Sequence, residues 1–152
     1  MKLWQKVIVK TLQWHWRHSR GLTLGVQAIV VDAEHRALLI PQTRTSGWTL
    51  PGGLVEANEG TEASLARLLL EQAGIRLSAR ASLHGIYVDH DVTPDFHTVL
   101  YVVRSWHKVS GPEPAFFERA TLPPAMEATA RSRLLEVLSR SPSPAAKQRP
   151  TT

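Results

Sequence analysis

Glu71 and Gln72 close a run of helix-forming residues, Thr61 to Ala73, that begins shortly after the pair Gly52-Gly53. Glu56, Glu59 and Arg67 lie between the glycines and that end. A carboxylate is a hard oxygen donor suited to Mg²⁺. Side chains at i, i+3 and i+4 of a helix project from one face, so carboxylates placed there can share an ion. Positions 68, 71 and 72 have this spacing, and they hold Leu68, Glu71 and Gln72. Glu71 carries charge, Gln72 offers only an uncharged carbonyl oxygen, and Leu68 offers no donor. The chemistry open to such a face is cation binding, with one negative charge where three would fit.

The stretch Gly53 to Ile75 resembles the Nudix box: a glycine, five residues, Glu, seven residues, then R-E-U-x-E-E-x-G-U, with U aliphatic. Gly53, Glu59, Arg67, Leu69, Glu71, Gly74 and Ile75 match at the right spacing. Leu68 and Gln72 stand where the family has the first and last Glu of its helix. The flanks add to the resemblance. Trp48-Thr49-Leu50-Pro51-Gly52-Gly53 looks like the family's W-x-L-P-G-G entry, and Phe116-Phe117 followed by Leu122-Pro123 looks like its closing segment. The likeness spans roughly residues 22–138.

This resemblance implies an α+β fold, a Nudix-like α/β/α sandwich with a mixed β-sheet. It implies metal-dependent hydrolysis of a pyrophosphate linkage in a nucleoside diphosphate derivative or nucleotide. In that reaction Mg²⁺ or Mn²⁺ neutralises phosphate charge and activates water. Glu71 would be the main metal ligand, with Glu56, the Gly52 carbonyl and Gln72 assisting. Arg67 and Glu59 would form the ion pair that positions the loop against the helix, completing a catalytic set of Glu71, Arg67 and Glu59. The departures at Leu68 and Gln72 favour an alternative, a catalytically impaired nucleotide-binding or regulatory protein of the same fold. If those two positions are the lesion, Leu68→Glu with Gln72→Glu is expected to raise hydrolysis sharply.

Other groups are candidates to compensate. Asp89, His90, Asp91, Asp95 and His97 crowd one hairpin, where a solvated acidic turn is the plainer reading; Glu113 and Glu118 follow later. Trp48, Tyr87 and Phe96 suit either base stacking or the core, so the sequence does not identify the substrate-binding residues.

The elements that must position these groups follow from pattern. Leu22 to Val31 reads as a strand, Asp32 to His35 as a tight turn, and Arg36 to Pro41 as the hairpin partner. Thr61 is the expected N-cap and Gly74 the C′ glycine of the central helix. Ala63, Ala66, Leu69, Leu70 and Ala73 are its expected buried face. Leu83 to Val88 and Phe96 to Arg104 read as strands. Met126 to Leu138 reads as a second amphipathic helix with Leu134, Leu135 and Leu138 as its core side. Hairpins mixed with helices argue against a purely parallel sheet.

At 152 residues the chain suits one folded unit. Residues 1–20 read as a basic amphipathic helix, 21–139 as the domain, and 140–152 as a disordered basic tail. The net charge of +5 is uneven: residues 1–20 carry +5 and 140–152 carry +3, leaving −3 on the body. A specific nucleic-acid partner is therefore not expected; a nucleotide-type small molecule is. The first segment, with Lys2, Lys6 and Lys10 on one narrow face and Trp4, Trp14 and Trp16 among the residues covering most of the rest, suits packing on the domain, a homodimer contact, or a membrane surface. No apolar run approaches the ~20 residues of a membrane span, Lys6 and Lys10 interrupt any signal-like core, and a cytoplasmic location is the expectation. There is no cysteine, and so no thiolate chemistry.

Overall fold

The computed structural model describes residues 22–140. The expected N-terminal helix, and the expected basic tail beyond Arg140, lie outside the described residues. The elements are β1 (Thr23–Val30), β2 (Ala37–Pro41), β3 (Trp48–Thr49), β4 (Gly52–Leu54), α1 (Thr61–Ala73), β5 (Ile75–Leu77), β6 (Ser82–Val88), β7 (Phe96–Val103), β8 (Trp106–Lys108), β9 (Ala115–Phe117), a 3₁₀ turn (Arg119–Thr121) and α2 (Ala128–Ser139). No helix among the described residues is long and apolar enough to cross a membrane.

The main sheet has the order β4-β1-β7-β6. β1 runs parallel to β7 from Thr23↔Phe96 to Val30↔Val103, and antiparallel to β4. β7 and β6 form the antiparallel hairpin expected around the acidic loop. Strand alternation sends Ile29, Val31, Leu100 and Val102 to one face, where Ala130, Leu134 and Val137 of α2 cover them. Val26, Ala28, Val30, Val99, Tyr101 and Val103 go to the other face, under Leu65, Leu68 and Leu69 of α1. The result is the expected α/β/α sandwich with a mixed sheet.

Three local expectations need correction. β2 is not a hairpin partner of β1. One bridge, Val31↔Ala37, closes the turn, and β2 then leaves to pair with β3 and β9. The Asp32 carboxylate explains this tight turn: it accepts from the backbone N–H of Glu34 and of Arg36, and from Arg36 Nε. Thr61 does not cap α1; Gly60 holds the N-cap position. Thr61 Oγ1 instead shares a 2.6 Å hydrogen bond with the Tyr101 hydroxyl on the sheet. The buried face of α1 is Ser64, Leu65, Leu68 and Leu69; of the expected face Leu69 is buried and Leu70 and Ala73 are half-buried, but Ala63 and Ala66 are exposed, because larger side chains fill the space above the sheet and the small alanines give up little contact area. On α2 the buried residues are Ala130, Arg133, Leu134 and Val137.

The expected stop of α1 is present. Gly74 is left-handed, with φ 63° and ψ 30°, and its N–H donates back to the last turn. A side chain there would strike the Ser110 backbone. Asn58 also takes a positive φ of 63°, a conformation asparagine tolerates better than most residues, and so closes the loop between β4 and α1.

Candidate functional site

The site is built where the edge strand β4 meets the last turns of α1. Gly52 has no room for a side chain, because a Cβ would collide with the Val26 carbonyl oxygen on β1. That close approach brings its peptide groups under α1. Gln72 Nε2 donates to the Gly52 carbonyl oxygen at 2.8 Å, and Gly52 N–H donates to Gln72 Oε1 at 2.9 Å. Both the carbonyl expected as a metal ligand and the Gln72 oxygen expected to assist it are thus engaged with each other's residue. Leu68 lies one helical turn earlier. It is only 7% exposed and belongs to the core beneath α1; a Cβ on Gly53 would stand 3.1 Å from its Cδ2. Position 68 is therefore an apolar floor under the glycines, not a surface position.

Arg67 organises the carboxylates. Its Nε donates to both oxygens of Glu59 at 3.2 Å, and Nη2 donates to the Leu54 carbonyl oxygen at 3.3 Å. Its Nη1 stands 3.5 Å from Glu71 and 3.7 Å from Glu56. Glu59, Glu56 and Glu71 are thereby gathered around one guanidinium, which ties the loop after β4 to the middle of α1. Glu59 is the sheltered member, whereas the Glu56 and Glu71 side chains are 66% and 59% exposed.

The electrostatics follow this placement. The Ser64 hydroxyl holds the Glu59 carboxyl below its ordinary range, burial opposes this, and Arg67 adds to the lowering. Ser64 Oγ is buried and makes no hydrogen bond of full geometry, so its influence is that of a nearby dipole. Burial works against the charge on Arg67, but Glu59, Glu56 and Glu71 together raise its pKa above the ordinary value. A carboxyl whose pKa is lowered by folding stabilises the native state above its ordinary pKa. That contribution disappears as pH falls through the lowered value. Glu59 therefore contributes to loss of stability on acidification below 4.5.

Beside Gly52-Gly53 opens a cleft of about 470 Å³, with Gln27, Phe96, Asp91, Glu127 and Arg133 among its lining residues. Its inner wall is a buried polar cluster. Arg133 Nη2 pairs with Asp89 Oδ1, Nη1 donates to Gln27 Oε1 at 3.0 Å, and the Thr98 hydroxyl donates to Asp89 Oδ2. The Arg133 guanidinium also stacks 4.6 Å over the Tyr87 ring. A second hollow of about 370 Å³ is lined by Trp48, Leu70, Glu71, Gln72 and Glu113 among others.

The candidate residues thus fall into groups. Glu56, Glu59, Arg67 and Glu71 come together. Asp89 turns inward to Arg133 and Thr98, while His90, Asp91 and Asp95 stay exposed on the loop. His97 Nδ1 lies 3.3 Å from the Asp95 carbonyl oxygen. Glu113 reaches the second hollow beside Glu71, and Glu118 is exposed. Phe96 lines the first cleft. Trp48 packs edge-on against Phe117, with ring centroids 5.0 Å apart, and the Tyr87 hydroxyl donates to Glu136. Among the described residues, no three His, Asp or Glu side chains form a group that could hold an ion by themselves. Sequence reasoning passed over Gln27, Glu127 and Arg133. The available signal was Gln27, a polar residue amid the apolar run of β1, and Arg133 on the apolar side of α2.

The comparisons with known proteins agree with this architecture. The NUDIX domain family profile matches residues 21–138. A MutT-like protein of Streptomyces ambofaciens is 35% identical over 65 residues; the match takes in 43% of this chain and 42% of that relative's length. The crystal structure of a MutT NUDIX hydrolase from Burkholderia pseudomallei superposes with a TM-score of 0.63 at 27% identity, covering 76% of this chain and 97% of that one. An ADP-ribose pyrophosphatase from Streptococcus suis superposes with a TM-score of 0.57 at 22% identity, covering 80% and 95%; at that identity the likeness is one of fold. With the match running through the glycine pair, the Arg67 cluster and both helices, the chain is a member of the NUDIX domain family.

Proposed function

We propose that this protein hydrolyses a pyrophosphate linkage in a nucleoside diphosphate derivative or nucleotide, at a reduced rate and with Mg²⁺ or Mn²⁺. The observation that carries the reading is the convergence of Glu56 and Glu71 on one nitrogen of Arg67, whose other terminal nitrogen donates to the Leu54 carbonyl oxygen just after Gly52-Gly53. Two exposed carboxylates do not make a cage. They do fit Mg²⁺, which is usually bound by one or two carboxylates together with substrate phosphates and water. Glu71 and Glu56 would hold the ion, and the ion would supply charge neutralisation and a more acidic water.

The remaining work falls to the chain's own groups. Arg67 keeps the two carboxylates side by side and balances their charge when no ligand is present. Glu59 fixes Arg67 from the sheltered side and so holds the loop after β4 in register with α1. Gly52 and Gly53, lacking side chains, let β4 lie close against β1 and Leu68 and so fix this side of the cleft. Leu68 supplies no charge and Gln72 is committed to Gly52, so the charge available to a transition state is less than three helix carboxylates would give. That supports a reduced rate.

The Gly52–Gln72 engagement also favours a second reading, nucleotide binding without turnover. Parallel assays of equilibrium binding and nucleoside monophosphate release separate the two. The panel would be nucleoside triphosphates and nucleoside diphosphate derivatives, with Mg²⁺ and with Mn²⁺. Binding accompanied by monophosphate release is the expected outcome. Binding with no release above the uncatalysed rate would replace the first reading by the second.

A further inference from the structure

We propose that Gln72 is a positioning residue whose carboxamide clasps Gly52 to helix α1 in the place of a bridging ion, so that the glycine loop is held without metal. β4 is the edge of the main sheet. Among the described residues its outward peptide groups have no strand partner, and an edge strand's free N–H and C=O need one. The Gln72 side chain meets them as a neighbouring strand would. It donates to Gly52 O at 2.8 Å and accepts from Gly52 N–H at 2.9 Å. The carboxamide is the one side-chain group of this length that both donates and accepts without charge.

The geometry leaves little freedom on the other side. Gly52 is pressed against the Val26 carbonyl and Gln27 Cα of β1, and the next residue rests on Leu68. Gly52 lines the cleft and Gln72 the second hollow. A glutamate at position 72 would keep the bond from Gly52 N–H. It would lose the other, because two oxygens would face each other where Nε2 now donates. A divalent cation between those oxygens would relieve the repulsion. The inference is independent of whether the chain turns a substrate over, since its readouts need no substrate.

Thermal unfolding of the full chain tests it, in excess EDTA and in millimolar MgCl₂, for wild type, Gln72→Glu and Gln72→Met. Wild type should melt at the same temperature in both. Gln72→Glu should melt about 3–6 °C lower in EDTA, on the scale of about 1 kcal/mol for a lost hydrogen bond, and recover much of that in MgCl₂. Gln72→Met, isosteric but unable to donate or accept in this way, should fall in both and recover in neither. Amide exchange of Gly52 in wild type and EDTA gives a check that needs no variant: the amide should be protected, and Gln72→Met should release it. An unprotected Gly52 amide in wild type overturns the proposal. So does a wild-type gain from MgCl₂ as large as that of Gln72→Glu, or a Gln72→Glu variant as stable as wild type in EDTA.

Discussion

Leu68→Glu is expected to lower the unfolding free energy by about 2–4 kcal/mol rather than restore hydrolysis, because it places an unpaired carboxyl in a core position. The leucine is 7% exposed and packs with Leu65, Leu69 and the sheet residues beneath α1. Arg67, its sequence neighbour, already carries Glu56, Glu59 and Glu71. A fourth carboxyl would add repulsion without gaining a cation of its own. The sequence-level expectation that Leu68→Glu with Gln72→Glu raises hydrolysis sharply is therefore revised: the double variant should be less stable than either single one. Urea unfolding at neutral pH measures this, with monophosphate release as a parallel readout. A double variant as stable as wild type and markedly faster would mean that the new side chain escapes past Gly53 to solvent, contrary to the packing described.

The second large effect concerns Asp89. Its carboxylate pairs with Arg133 and accepts from Thr98, and the two ion-pair side chains are 14% and 7% exposed. Taking away one member of a buried pair strands the other charge, which costs about 3–5 kcal/mol. Asp89→Ala should show a loss of that size in denaturant unfolding. Arg133→Met combined with Asp89→Leu should lose far less than the two single losses added together, since no charge is then left unpaired. Single losses below about 1 kcal/mol would mean that water enters the cluster and solvates Arg133 directly. The pairing also bears on the idea that the acidic hairpin supplies a metal ligand. Asp89 is occupied, and a compensating acid from that loop must be Asp91 or Asp95, both exposed.

Much of this arrangement could be read from residue spacing because the spacing itself is the physical constraint. Gly74 ends α1 where a left-handed residue must stand, and the intervals from Gly53 to Glu59 to Arg67 place a loop carboxylate beside a helix guanidinium. The mixed sheet followed from strands that could not all be joined by crossovers. What could not be read depends on contacts between residues distant in sequence. The burial of Leu68 is set by Gly53 above and the sheet below. The Gln72 clasp spans 20 residues, and the Arg133 cluster joins β1, the acidic loop, β7 and α2. Local pattern also favoured a β1–β2 hairpin, whereas β1 gains more by burial between β4 and β7, with both faces covered by helices.

The central claim is that Glu71 with Glu56 supports metal-dependent pyrophosphate hydrolysis despite the loss of charge at positions 68 and 72. The most direct test is monophosphate release from the best substrate of the nucleotide panel by wild type and Glu71→Gln, each with Mg²⁺, with Mn²⁺ and with EDTA. The expected result is turnover by wild type that stops in EDTA and falls at least ~100-fold in Glu71→Gln, the order of effect of losing a principal charge-stabilising group. Equal turnover by both proteins, or turnover that persists in EDTA, would contradict the account.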